Sequence, residues 1–279
     1  MIRYTTGYIG KCQYSNPLDS SEGGEGSCLR GWKGSGMSSS RICDQSEFGC
    51  WSLEPFAESV WTAATPIRFA GMWFPHVMTV VRCVDDQLVL HSPCHPSERL
   101  IREIAGIGQV GHVVAPNWFH DLYLTEYRGF YPRAAFWGPS HLRRHLGSKL
   151  AVEELNGPTR PPWFAEMPHF TLSGLLTFDE SIFFHEPSRT LIVADLLMNL
   201  SARSTAPRFT RVAYRLSGVN DRLTMPPYLR WFGWLDPRVT ASLHTAAQQI
   251  TNWNPDRLIV GHGTPVSQLA MQRLYTALP

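Results

Sequence analysis

The sequence contains no apolar run reaching the ~18 residues a membrane-crossing helix requires, and Met1–Gly10 lacks the apolar core of a secretory signal. It has no excess of one charge: a formal net charge of +2 over 279 residues gives no electrostatic case for nucleic acid. Six cysteines are present without a CxxC pair, and Cys12, Cys28, Cys43 and Cys50 fall in a polar N-terminal stretch. Disulfide frameworks belong mainly to short secreted chains, so reduced thiols in a soluble, intracellular (cytoplasmic) protein are the expectation. Also missing are a Gly-x-Ser-x-Gly elbow, a phosphate-binding loop and a dinucleotide fingerprint, which removes three common routes to catalysis.

What is present begins with aromatics, at 12% and with ten tryptophans, enough to wall a core or a pocket. Residues 1–52 are Gly/Ser-rich without apolar periodicity, and such composition cannot offset the entropy of ordering it. A disordered leader is expected there, followed by one domain over 53–279. Met37 lies inside the leader, so both a natural leader and an artefact of an upstream start codon remain open.

Ser181–Leu197 reads as two buried strands, Ile182–His185 and Thr190–Ala194, around the turn Glu186-Pro187-Ser188-Arg189. Asp195 ends the second strand, either as a cap or as a functional carboxylate at a strand's carboxyl end. Upstream, Trp73–Val84 and Gln87–His91 form a hairpin, and Ser97 caps a helix that runs through Ile107. Strands Gly111–Ala115, Ala134–Trp137 and Phe170–Leu176 follow, with a helix starting near Leu122. Downstream come helices at Phe209–Leu216 and Pro237–Asn252, a strand Arg257–Val260 and a helix from Val266. Strand-rich halves, each followed by helices, imply an α/β (α+β) fold, a four-layer αββα sandwich.

Candidate ligands gather at strand ends: His120 and Asp121, then Asp195, then His262, with His169 upstream of Asp195. Imidazoles and carboxylates converging this way suit one zinc, iron or manganese ion. Glycines on both sides of His262 allow a sharp turn and a close approach, although GHG is also compatible with a plain turn. His141 and His145 share a helix face, but the flanking Arg143 and Arg144 favour a solvated face over a metal site. His185 either lines a pocket or is a turn histidine; Ser188 and Arg189 either bind an anionic group or are ordinary turn residues.

The strand-Asp of LIVADLL, the late LIVGHG and the earlier Pro168-His169 resemble the second half of the metallo-β-lactamase fold. HVVAPNWFH, YPRAAFWGP and FFHEPSRTLIVADLL resemble an uncharacterised domain-of-unknown-function family within that superfamily, over Phe74 to Val266. The resemblance implies a His-x-His-x-Asp-His loop, a further His, a bridging Asp and a final His, together holding two metal ions. By position, Asp195 matches the bridging Asp, His262 the final His and His169 the intermediate His. Asp121 falls on the loop's Asp, as the candidate catalytic group. The leading His positions are Asn117 and Phe119 here, the trailing His is Leu122, and Ala194 replaces the usual Gly. The expectation is therefore at most one ion, held among His120, Asp121, His169, Asp195 and His262, with Asn117, His185 and Ser188 facing a small-molecule substrate. The activity is either metal-dependent hydrolysis of an ester, amide, thioester or phosphoester, or none, in a binding or regulatory scaffold that has lost the metal. No membrane and no nucleic-acid partner is expected.

Overall fold

The computed structural model describes residues 52–69, 71–173, 179–201, 207–216, 218 and 221–278. Contacts divide the chain into Met1–Cys43 and Asp44–Pro279, and every described residue belongs to the second unit. The leader expected over 1–52 thus lies, up to residue 51, outside the described residues.

The first half of the domain runs β1 (Glu54–Ala57), β2 (Val60–Phe69), β3 (Met72–Arg82), β4 (Gln87–His91), α1 (Glu98–Ile107), β5 (Gln109–Val114), α2 (Leu124–Phe130), β6 (Ala135–Gly138), α3 (Ser140–Leu146) and β7 (Glu153–Glu154). The second half runs β8 (His169–Leu172), β9 (Glu180–His185), β10 (Thr190–Ile192), β11 (Met198–Asn199), α4 (Arg208–Leu216), α5 (Pro227–Leu235), α6 (Pro237–Trp253), β12 (Arg257–Ile259), β13 (His262–Gly263) and α7 (Ala270–Ala277). Strands β1 to β7 form one sheet in sequence order, antiparallel up to β4 and parallel beyond it. Parallel neighbours need crossovers, and α1, α2 and α3 supply them. The second sheet has the order β12-β10-β9-β8, and β11 pairs with β13 in a small parallel ribbon.

Strand alternation decides what each face buries. On β3, Val77 and Val81 point inward to meet Phe183, Ile192 and Ile259 of the second sheet. Met78 and Val80 point outward against Leu100 and Ile104 of α1 and Leu124 and Tyr127 of α2. On the other side, Ile182, Leu191 and Leu258 face Val239, Leu243 and Ile250 of α6 and Leu274 of α7. The protein is a four-layer αββα sandwich.

Local signals place most elements. The Ser97 hydroxyl accepts from Leu100 N at 3.1 Å and starts α1; Asp236, followed by Pro237, starts α6. The last helix begins later than the sequence suggests, because Val266 exchanges backbone bonds with Leu258 instead of entering it. Strand β8 ends at Leu172 rather than Leu176, and 174–178 lie outside the described residues.

Candidate metal centre

Strands β10 and β12 run parallel with Ile192 opposite Ile259. Three residues beyond each strand lie Asp195 and His262, so parallel register delivers an acid and an imidazole to the same sheet end. Gly261 N donates to Ala194 O at 3.0 Å, and Val77 N donates to Gly261 O at 2.9 Å, clamping this corner onto β3. The corner admits no side chain: a Cβ on Gly261 would sit 2.7 Å from Ala194 O and 2.8 Å from His120 Cε1. Gly263 has φ +117°, and a Cβ there would meet Asn199 O at 2.2 Å.

His120 arrives from the turn after β5. Asn117 caps that turn, accepting from Phe119 N and His120 N, while its Nδ2 donates to Asp195 Oδ2 at 2.8 Å. Glu180 fixes the Asp195 loop: Oε1 accepts from Ala194 N and Leu196 N, and Oε2 from Asp195 N. His120 Nε2 stands 3.2 Å from Asp195 Oδ2, and His262 Nε2 stands 3.0 Å from Asp195 Oδ1. Ser92 Oγ bonds His120 Nδ1 and, at 3.0 Å, His76 Nε2. All of these side chains are buried.

Burial works to raise the Asp195 carboxyl, but the imidazoles of His120 and His262 hold it well below the usual carboxylate range. Burial, reinforced by the Asp195 charge, raises Glu180. Burial opposes charging of His262, yet Asp195 beside it raises its pKa overall. Burial, then the neighbouring His120 and His262, keep His76 neutral. Among the described residues, the free thiols of Cys83 and Cys94 are each pushed up to about 12 by burial, so neither suits nucleophilic work.

The donor set can be tested against a metal from the hydrogen bonds alone. His262 Nδ1 lies 2.9 Å from Pro75 O, and since a carbonyl only accepts, Nδ1 carries the hydrogen. In the neutral ring Nε2 is then a bare lone pair facing a carboxylate oxygen, an arrangement that calls for a proton or a cation between them. His120 Nε2 is likewise buried and faces a carboxylate oxygen, Asp195 Oδ2, at 3.2 Å. Donor atoms bonded to one ion at about 2.0–2.2 Å are separated by roughly 3.0–3.5 Å, and each imidazole nitrogen stands at that spacing from an Asp195 oxygen. His120, Asp195 and His262 form a group of metal-ligand type with donor atoms within 4.8 Å of one another. The residues fit a metal ion.

Other residues singled out in the sequence fall elsewhere. Asp121 closes the turn after His120, half-buried, and stands outside the three-residue group. His169 also stands outside it: β8 pairs it with Phe183, three residues along β9 from Glu180, or roughly 10 Å. Its Nε2 donates to Leu155 O at 3.0 Å, and its ring lies against Phe164 and Phe183. His185 and Ser188 lie at the opposite end of the sheet from Asp195, where His185 Nδ1, Ser188 Oγ and Thr190 Oγ1 form a chain of 2.7 Å bonds. They fasten the β9–β10 turn and do not face the three ligands. His141 lies 3.7 Å from Asp179. Conversely, His76, Ser92 and Glu180 belong to the site but carry no motif; a lone His inside a strand and a lone Glu before SIFFH give sequence reading nothing to hold. A cavity of about 570 Å³ lies elsewhere, lined by Asp221, Arg222, Thr224 and Arg273 and by none of the three ligands.

Layer order, the Asp and His at adjacent strand ends and the buried imidazole–carboxylate group define a metallo-β-lactamase fold. Known structures agree. A putative diflavin flavoprotein A 5 fragment from Nostoc sp. PCC 7120 superposes with TM-score 0.55 at 11% identity, over 81% of this chain and 92% of that one. A metallo-β-lactamase from Pontibacter korlensis gives 0.53 at 16% identity, over 80% and 95%. The metal-soaked Flv1 flavodiiron core from Synechocystis sp. PCC6803 gives 0.54 at 12%, over 81% and 59%. Residues 57–234 match the family described as Domain of unknown function (DUF4336), and the chain belongs to that family. No curated protein matches it.

Proposed function

We propose that this protein is a metal-dependent, hydrolase-like member of the fold that holds a single ion through His120, Asp195 and His262. The observation that carries the reading is the convergence on one carboxylate of two buried imidazole nitrogens, His120 Nε2 at 3.2 Å and His262 Nε2 at 3.0 Å from Asp195, with all donor atoms within 4.8 Å of one another. A bound zinc, iron or manganese ion supplies Lewis acidity at neutral pH, the requirement for opening an ester, amide, thioester or phosphoester of a small molecule. Two imidazoles and one carboxylate make up the donor set of mononuclear iron sites and are equally compatible with zinc or manganese. The chain's own contribution is positional. Ser92 orients the His120 ring, Pro75 O fixes the His262 tautomer, Asn117 holds Asp195, and Glu180 fixes the loop that presents it. A second metal is not part of the proposal, because Asn117 and Phe119 stand where the resemblance puts the leading imidazoles. One domain over 53–279 and a reducing compartment complete the reading, the latter supported by the free, buried Cys83 and Cys94. Among the described residues no helix is long and apolar enough to cross a membrane.

The test is metal analysis of protein purified without chelator, with Asp195→Asn alongside. About one equivalent, lost in the variant, is expected; below about a tenth in both would reject the reading. A second reading, a non-catalytic scaffold, is favoured by Asn117 bonding Asp195 as a fixed structural strut. Under it, His120, Asp195 and His262 are a protonated hydrogen-bonded cluster and metal-loaded protein shows no turnover. Hydrolysis abolished by His262→Ala but unaffected by a distant surface change would reject that reading.

A further inference from the structure

Helix α4 turns its apolar side outward. At about 100° per residue, Thr210 and Tyr214 share one face, and both are buried against the start of β3, where each bonds the backbone of Trp73. Phe209, Val212 and Leu216 share the opposite face, and they are between 50% (Val212) and 84% (Leu216) exposed. Arg208, Arg211 and Arg215 form the stripe beside them, and among the described residues none of the three makes a salt bridge. A helix of an ordinary soluble surface presents polar residues to water; this one presents an apolar arc edged with arginine. The next helix repeats the pattern. On α5, Leu229 is buried, while Trp231, Trp234 and Leu235 are mostly exposed at i, i+3 and i+4.

Both helices border the same end of the sandwich. Tyr214 of α4 packs on Phe74, which packs on the His262 ring, and Leu229 of α5 belongs to the core cluster that contains Leu196 and Leu197, the residues directly after Asp195. Residues 207–235 contain five arginines against one aspartate and no lysine or glutamate, so the positive excess of a nearly neutral chain is concentrated here. Exposed Phe, Leu and Trp beside arginine are the composition of helices that lie in the interface of a negatively charged bilayer: rings and aliphatic chains enter the headgroup boundary, and guanidinium groups meet lipid phosphates. We propose that the outer faces of α4 and α5 dock this protein on an anionic membrane surface, without spanning it. Nucleic acid is a poorer fit, since the outermost side chains of α4 are aliphatic and phenyl groups flanked by, rather than interleaved with, the charges.

The test uses the full chain and vesicles of phosphatidylcholine, with or without about one-third phosphatidylserine. Co-sedimentation with the anionic vesicles is expected, weakening at least ~tenfold in neutral vesicles, in Trp231→Ala/Trp234→Ala and in Arg208→Glu/Arg215→Glu. These side chains project into solvent, so thermal melting of each variant should match the wild type; should one variant misfold, the other decides. The proposal is overturned by absence of binding to anionic vesicles at low salt, or by binding that neither variant reduces. It is equally overturned by affinity for a single-stranded oligonucleotide without affinity for vesicles, or by a dimer in solution that the tryptophan variant dissolves while vesicles go unbound.

Discussion

Replacing Gly261 with alanine adds one methyl group at the point where three parts of the site meet. The new Cβ would stand 2.7 Å from Ala194 O, 2.9 Å from Ala194 Cα and 2.8 Å from His120 Cε1. Ordinary contact begins near 3.4 Å, so about half an ångström or more must be recovered in each direction. Two of the three atoms are backbone, and the third belongs to a ring tethered by Ser92. No flexible side chain can yield, so the hydrogen bond of Gly261 N to Ala194 O must lengthen and the β10 and β12 ends must part. Overpacking of this kind costs about 1–3 kcal/mol, which in a domain of this size lowers the melting temperature by roughly 2–4 °C per kcal/mol. Since Asp195 follows Ala194 and His262 follows Gly261, metal affinity should fall with stability. Gly106 in α1 is the control, because a Cβ there meets nothing within 4 Å. Gly106→Ala should raise stability by about 0.5–1 kcal/mol and leave metal binding alone. Differential scanning calorimetry with zinc titration reads both; a Gly261→Ala protein that melts and binds metal like the wild type would refute the packing argument.

Asn117→Ala leaves two buried N–H groups and one carboxylate oxygen without their partner, so it should destabilise by about 2–4 kcal/mol in urea unfolding and weaken metal binding roughly 10- to 100-fold in competition titration. Ser97→Ala should cost about 1 kcal/mol through loss of the α1 cap, with no change in metal affinity. Burial holds His91 neutral, its pKa lowered to about 3. A depressed folded-state pKa means that this stability is complete above the unfolded value near 6.5 and declines as pH falls from there towards about 3, at about 1.4 kcal/mol per pH unit. Urea midpoints that stay level from pH 7.5 to pH 5 would contradict it, and His91→Gln should flatten the slope.

Much of the fold can be read from local chemistry. Continuous apolar runs around Glu186-Pro187-Ser188-Arg189 mark the β9–β10 hairpin, and the Ser97 and Asp236 caps mark α1 and α6. Strand β2 is hidden, since VWTAATPIRF alternates weakly and contains Pro66, yet it pairs with β3 along its whole length. Helix α5 is hidden because it starts at Pro227, the second residue of Pro226-Pro227, which reads as a break. At the site, Asp195 and His262 are visible because strand ends and glycines mark them, and their meeting follows from the β10–β12 register. His169 stands apart from the three-residue group, opposite Phe183, because similarity in linear order does not fix strand register. His76 and Glu180 become visible only once distant strands are brought together, since each depends on partners far along the chain.

That three side chains from separate segments surround one ion is tested most directly by crystals grown with zinc, with diffraction recorded on either side of the zinc absorption edge. A single anomalous peak within about 2.0–2.2 Å of His120 Nε2, His262 Nε2 and an Asp195 oxygen is the predicted result. Density in which Asp195 bonds both imidazoles with no peak between them, at zinc concentrations that load other sites, would contradict it.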